Sequence, residues 1–261
     1  MLRSLTTAAT GMLAQQQNMD TIANNLANVS TNGFKKSRAE FEDLMYQTQK
    51  EPGAATGMNS VSPTGVQIGL GVKTSAVQKD FEVGAVRPST NPLDMMIEGN
   101  GFFPLQLQDG NVGYTRDGAF KRDPTGTVVD KNGNKLIPQI TVPMEATDID
   151  ISPDGKVAYA TAASREPQSL GQIQLFNFIN PAGLKAMGKN VYQASNSSGV
   201  PQAGIPGQNG FGAISSRQLE GSNVNIVDEM VNMITAQRSY ETNSKVIQAS
   251  DQMLQYMNQL K

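Results

Sequence analysis

The run from Asn225 to Leu260 constrains this chain most, because it holds neither Pro nor Gly and repeats apolar residues at helical spacing. Ile226, Met230, Met233 and Ile234 open the seam. After a polar passage through Arg238 and Glu241 it resumes with Val246, Ile247, Met253, Leu254, Met257 and Leu260. Asn225 stands where an N-cap belongs, with Asp228 three residues on, as in a capping box. At a rise of about 1.5 Å per residue the helix reaches about 50 Å, longer than a small globular core covers with its own chain. It needs a partner.

The comparable stretch lies at the other end. Leu5, Ala9, Met12, Met19, Ile22, Ala23 and Leu26 recur on one helical face, with Gln, Asn, Asp and Thr between them. Gly11 weakens that helix, and Asn32-Gly33 is the turn that stops it. The reading is a mixed α and β protein, in which long N- and C-terminal helices form a coiled-coil core domain around a β-rich middle domain. Both seams mix Met, Ala and Gln with few Leu and Ile, a pattern suited to helices that settle when many copies pack together. An intramolecular helical hairpin packed on a domain is the competing arrangement.

Composition closes off several chemistries. The 261 residues contain no Cys and no His, which removes Cys–His and Ser–His nucleophiles, thiolate zinc sites and histidine metal ligands together. With a formal charge of -2 and no dense Lys/Arg cluster, nucleic acid is not an expected partner. No apolar run approaches the length of a membrane span, and Met1-Leu2-Arg3 does not open a secretory signal, so neither membrane insertion nor a cleaved leader is expected.

Between the helices the pattern changes. Phe34 to Tyr46 reads as a short helix or an extended arm anchored by Phe34, Phe41 and Leu44. Gln47 to Pro63 loses periodicity and reads as a mobile loop that a neighbour would order. From Gly65 the chain reads as short strands: Val66–Val72, Leu93–Ile97, Phe102–Leu107, Val112–Thr115, Thr127–Val129, Leu136–Ile137, Ile149–Ile151, Val157–Tyr159, Leu170–Phe178 and Gln218–Glu220. Turns at Asp109-Gly110, Pro124-Thr125-Gly126, Asn132-Gly133 and Pro153-Asp154-Gly155 separate several of them, which describes an all-β body.

Candidate chemistry is sparse. Asp148, Asp150 and Asp154 straddle a strand and its turn rather than a calcium loop. Gly69-Leu70-Gly71 and Gly99-Asn100-Gly101 lack the Lys-Ser/Thr continuation of a phosphate loop, and read as tight turns or close backbone contacts. Alternation places Asp94 and Glu98 among surface carboxylates, and Arg116-Asp117 reads as a local ion pair. Catalytic, cofactor and metal residues are therefore expected to be absent: the chain reads as a non-enzyme.

Several motifs in order resemble the bacterial flagellar basal-body rod and hook axial proteins. Asn24-Asn25-Leu26-Ala27-Asn28 with Thr31-Asn32-Gly33-Phe34-Lys35 is similar to their shared N-terminal motif. So are Leu93-Asp94 with Ile97, Gly99-Asn100-Gly101-Phe102-Phe103 and Tyr114-Thr115-Arg116-Asp117-Gly118-Ala119-Phe120. At the far end stand Ser222-Asn223-Val224-Asn225, Met233-Ile234, Gln237-Arg238-Ser239-Tyr240-Glu241 and Asp251-Gln252-Met253-Leu254. Met45-Tyr46-Gln47-Thr48 with Pro52-Gly53-Ala54, followed by Pro63-Thr64-Gly65-Val66, is most like the distal-rod members, where such a stretch is thought to brace neighbouring subunits.

The resemblance implies a distal-rod subunit that self-assembles into a straight hollow helical tube, transmits motor torque to the hook and encloses the export channel. It also implies four regions: 1–45 and 222–261 as the two halves of the helical core, 46–74 as the distal-rod stretch and 75–221 as the β-rich outer domain. The implied partners are further copies of the chain, proximal rod and hook proteins at the ends, and periplasmic and outer-membrane ring proteins around it. The implied location is the basal body across the periplasm, reached without a cleaved signal peptide. A proximal rod or short hook subunit of the same family is the nearest alternative, and a secreted binding or adhesin module is the alternative of another class.

Overall fold

The computed structural model describes residues 2–52, 55–57, 60–61, 63–161 and 166–259. Gly53, Ala54 and Leu260, named above, lie outside the described residues, as does the side chain of Met257. Two compact units divide the chain: residues 1–26, 37–78 and 225–261 form one, and residues 27–36 and 79–224 the other.

The first unit is built on α1 (Leu2–Ala27) and α2 (Ile226–Gln259). Asn225 caps α2, its carboxamide oxygen accepting the Val227 N–H at 3.1 Å. Asp228 and Glu229 stand in the first turn, where the helix dipole favours acids. Three contacts fix the helices antiparallel. The Ser4 and Ser250 hydroxyls lie 3.4 Å apart, Gly11 faces the Asn243 carboxamide, and Asn25 Nδ2 lies 3.4 Å from Glu229 Oε2. From Ser4 to Gly11 to Asn25 the steps are 7 and 14 residues, matched by equal steps back along α2 from Ser250 to Asn243 to Glu229. Whole heptads therefore separate the contacts, so one stripe of each helix faces the other. A methyl on Gly11 would lie 2.9 Å from Asn243 Nδ2, so Gly there permits the close approach.

The same unit carries paired strands, which decide one pair of alternatives and correct one expectation. Phe34 to Tyr46 takes the extended form rather than the helix: Ser37–Asp43 is a strand paired with Val72–Lys79. Gln47 to Pro63, where it is described, is not the expected structureless loop. Tyr46–Lys50 pairs antiparallel with Val66–Gly69, and Ala55–Gly57 pairs with Ser60–Val61 farther out. Every residue of Tyr46–Lys50 is exposed, so this strand has no buried face and shows no alternation to read. Backbone pairing and local packing make the ribbon instead. The Tyr46 ring lies against Gly69, and Gly65 sits where any side chain would strike Lys50 O and Pro52.

The second unit is the expected β-rich body. Its seven-stranded sheet runs Phe120–Arg122, Val128–Asp130, Lys135–Leu136, Phe103–Gln106, Val112–Thr115, Val191–Gln193, Lys185–Gly188. Ala146–Ile151, Lys156–Thr161 and Gln168–Gln172 form a three-stranded sheet. Three ribbons complete it: Met95–Glu98 with Ala213–Ser216, Val86–Pro88 with Gln218–Glu220, and Leu175–Asn177 with Gln202–Gly204. One face of the large sheet buries Phe103, Leu105, Phe120 and Leu136 against Ile149, Ile151 and Ile173. A separate aromatic cluster of Phe102, Tyr114, Phe178 and Tyr192, with Phe81 against it, is joined largely by edge-to-face contacts. Gly99 and Gly101 both adopt positive φ, 119° and 141°, which accounts for that Gly-rich pair without a ligand.

Gly118 holds two of these pieces together. Its carbonyl accepts the Met95 N–H at 3.0 Å, and a methyl there would lie 1.6 Å from Met95 O. Gly118→Ala must part the Met95–Glu98 strand from the body. The expected result is a loss of at least about 3 kcal/mol in urea unfolding, in the range of substitutions that force a buried backbone apart. An unchanged midpoint would show that the backbone yields there without cost.

Candidate functional site

The N-terminal motif and the strand that precedes α2 meet inside the β body. Gly33, with φ of 66°, donates its N–H to Glu220 O at 2.7 Å. A methyl on Gly33 would lie 2.7 Å from Asp117 N, so the tight approach admits only Gly. Three residues on, Lys36 donates its N–H to Asn223 Oδ1 at 2.7 Å, and Asn223 Nδ2 donates to Asp80 O at 2.9 Å. Asn190 Nδ2 closes the turn on Asn32 O at 2.9 Å. Residues 33–36 and 220–223 thus run side by side as parts of the body.

Beneath them lies a buried charge cluster. The Lys35 ammonium donates to Glu220 Oε1 and to Glu82 O, with both side chains of the pair fully buried. Glu220 Oε1 also accepts the Gly84 N–H at 3.0 Å. The other carboxylate oxygen lies 3.4 Å from Arg116 Nη1, while Arg116 Nη2 donates to Gly99 O at 2.7 Å. The Arg116 guanidinium also stacks 5.3 Å from the Phe102 ring centroid. One carboxylate thus serves two cations and one backbone donor. Burial pushes the Lys35 ammonium below its ordinary pKa, more than Glu220 raises it. Burial likewise lowers Arg116 against the opposing pull of Glu220, and raises the neighbouring Tyr192 phenol well above its usual value.

Arg116 and Asp117 do not pair with each other, contrary to the sequence reading. Arg116 turns to Glu220, and Asp117 pairs with Lys131 at 2.6 Å. Asp94 is not a surface carboxylate: it is 7% exposed and accepts the Ser89 hydroxyl and Asn91 Nδ2. Glu98 is exposed, as expected.

The other motif residues divide by role. In the helical unit Asn25 is buried and grips Ser37 in both directions, Nδ2 donating to Ser37 O and Oδ1 accepting Ser37 N–H, each at 2.8 Å. Asn28 Oδ1 accepts the Thr31 hydroxyl at 3.2 Å in the turn after α1. Phe34 is buried, with the Lys79 ammonium 5.0 Å above its ring. Asn24, Arg238 and Tyr240 are exposed on the helices.

Of the seam positions, Leu5, Met12, Met19, Leu26, Met233, Ile247 and Leu254 are half-buried, whereas Ile226 and Met230 are exposed. The stripe between the helices is instead small or polar: Ala8, Asn25, Glu229, Ala236 and Ser250 are the buried positions there, with Ala14 and Ile22. Tyr46, Pro52 and Pro63 are exposed, and Gly65 is half-buried.

Full-length relatives decide the family. A flagellar basal-body rod protein FlgG of Borreliella burgdorferi is 50% identical over 263 residues, covering all of this chain and 99% of its own. The chain belongs to the FlgG family of flagellar basal-body rod proteins. FlgG of Buchnera aphidicola, 46% identical, and of Bacillus subtilis, 40% identical, also match from end to end. It is a structural subunit of the flagellar rod.

Three family models match parts of this FlgG-family chain. They are a flagella basal body rod protein model over residues 5–35, a flagellar hook protein FlgE/F/G D1 domain model over 96–159, and a flagellar basal body rod FlgEFG C-terminal model over 215–260. Lys35, Arg116 and Glu220 come one from each. The charge cluster is therefore where all three FlgG-type regions touch. Sequence reasoning had Lys35 and Arg116 within motifs and Glu220 on a strand, but a lone charge on a short strand does not name a distant partner.

Glu220→Gln leaves Lys35 and Arg116 buried without a counter-charge. It is expected to cost about 3–5 kcal/mol in urea unfolding, as breaking a buried pair does. A loss under about 1 kcal/mol would show that water replaces the carboxylate. Alkaline titration isolates Lys35. Because its folded pKa lies below the ordinary 10.5, the unfolded chain binds more protons between those two values. The Lys35 contribution to stability therefore rises with pH across that window. Stability of the wild type minus that of Lys35→Met should climb as pH rises towards 10.5, and a falling difference would reverse the sign.

Proposed function

We propose that this rod subunit builds the distal, straight segment of the rod as a hollow helical polymer that carries torque to the hook and surrounds the export channel. Its role is structural and non-catalytic. The end-to-end similarity to FlgG proteins carries this reading, and the exposed apolar stripe of α2 supports it.

On the first half of α2, Val227, Met230, Val231 and Ile234 stand at spacings that place them on one face, and each is at least 49% exposed. They lie away from the stripe that holds Glu229 and Ala236 against α1. A single subunit thus leaves large apolar side chains in water while its own helix contact uses small and polar ones. Such a face is covered when copies repeat a heterologous, non-closing contact, which yields a tube.

In this reading residues 1–45 and 222–261 make a coiled-coil core around the channel, and residues 75–221 face outward. Residues 46–74 brace neighbouring copies, through Tyr46, Pro52, Gly53, Pro63 and Gly65. The self-assembly seams are Leu5, Met12, Met19 and Leu26 with Ile226, Met230, Met233, Ile247, Leu254 and Met257. Proximal rod and hook proteins adjoin the ends, ring proteins encircle the tube in the periplasm and outer membrane, and export needs no cleaved signal peptide.

Electron cryo-microscopy of the concentrated protein, with sedimentation across a dilution series, tests this. Straight hollow tubes are expected, and Met230→Lys should raise the critical concentration at least about tenfold, about 1.4 kcal/mol per contact, without shifting the unfolding midpoint. Curved tubes would move the assignment to hook, and a monomer at every concentration would favour a binding module.

A further inference from the structure

The β body carries one surface that neither the fold nor the helical seams use. Residues 167–184 and 190–216 contain no Asp, Glu, Lys or Arg, 45 residues in two runs of 18 and 27. At the chain's 17% charged content they would hold about eight. The middles of the two runs meet in space, whereas Gln168–Gln172 pairs with Lys156–Thr161 and Ala213–Ser216 with Met95–Glu98. Leu175–Asn177 pairs with Gln202–Gly204, and Asn180 N–H donates to Ser198 O at 3.3 Å. Beyond the end of that ladder stand Ile179 and Val200, exposed at 80% and 78%, among the most exposed large apolar side chains in the body. Lys185, Lys189 and Arg217 border the runs in sequence.

The apolar pair is held rigidly outward. The Ser195 hydroxyl donates to Gly183 O at 2.5 Å and accepts the N–H of Ser197 and of Ser198. The Ser198 hydroxyl donates back to Ser195 O at 2.8 Å and accepts the Ser195 N–H. Asn180 Nδ2 donates to Ser197 O at 3.1 Å. Gly183 packs so closely on Ser197 that a methyl would lie 2.7 Å from its carbonyl carbon. A depression of about 450 Å³ lies beside the knob, lined in part by Ala194, Asn196, Gly199 and Pro201. Surface loops without a partner are normally charged and adaptable. This one is uncharged, apolar at its tip and pre-ordered, as interface centres are.

We infer that the Ile179–Val200 knob and its charge-free surround form a contact between β bodies of adjacent copies of this chain. The inference rests on the rod reading, which supplies the second copy. The occupant follows from charge. In a homopolymer every charged patch is repeated at fixed spacing along the tube, and like charges brought together are costly, whereas a charge-free face can meet its neighbour without that penalty. The knob belongs to the β body and the stripe to α2, so separate variants test each.

Because the chain lacks Cys, Ile179→Cys and Val200→Cys give single, unambiguous probes. In assembled tubes their modification by a maleimide should slow at least about tenfold relative to dilute monomer, while a control Cys at Asp109, in an exposed polar turn, stays reactive. Ile179→Glu should raise the critical concentration of assembly at least about tenfold and leave the monomer's unfolding midpoint unchanged. Equal labelling in tube and monomer, or tubes of Ile179→Glu forming at the wild-type concentration, would overturn the contact while the wild-type tubes keep the rod reading intact. Failure of the wild type to form tubes would instead remove the reading on which the contact rests. Protection that appears only after ring proteins are added would also overturn the inference, assigning the face to them.

Discussion

Glu220 is the residue on which the rest of the body depends. Its carboxylate neutralises Lys35 and faces Arg116, its carbonyl accepts the Gly33 N–H, and Gly84 donates to the same side chain. Those partners come from three separate parts of the sequence, Gly33 and Lys35 from one, Gly84 from another and Arg116 from a third. A buried carboxylate is unfavourable alone, and so is each of the cations; the assembled set balances their charges, although Arg116 Nε is left a buried donor without a hydrogen-bond partner. This gives the cluster a specifying role as much as a stabilising one. A chain whose N-terminal segment is displaced by a residue loses both the Gly33 bond and the Lys35 charge, so alternative registers are penalised together.

The helical unit follows the opposite rule. Its two helices meet through Ala8, Gly11, Asn25, Glu229, Ala236 and Ser250, residues that offer little apolar area, while Val227, Met230, Val231 and Ile234 remain exposed. The intramolecular contact sets register by whole heptads and by the Asn25–Glu229 pair. In the proposed rod, that apolar area is covered by other copies, where many identical contacts act together.

Much of the architecture was legible because it rests on periodicity and turns. The two long helices, the Asn225 cap, the Gly33 stop and most strands of the body announce themselves by spacing, Gly and Pro. What stayed hidden has a physical reason in each case. The Tyr46–Lys50 strand is exposed on both sides, so no alternation marks it. Asp94 looks like a surface acid until Ser89 and Asn91 are folded around it. The Lys35–Glu220 pair spans 185 positions, and nothing local in either segment points to the other. The inner stripe of the helices is marked in the sequence only at Ile22, because its other buried positions are small or polar residues that carry little hydrophobic signal.

Amide hydrogen exchange of the dilute monomer, read at Gly33, Lys36 and Gly84, tests the central claim most directly, because their N–H groups bond to Glu220 or to Asn223 beside it. The account predicts protection equal to that of buried Phe103 and Leu105, since the cluster belongs to the cooperative core of the body before any assembly. Exchange at those three amides as fast as in the turn at Gly110, with the sheet core still protected, would contradict it and mean that the cluster closes only within the rod.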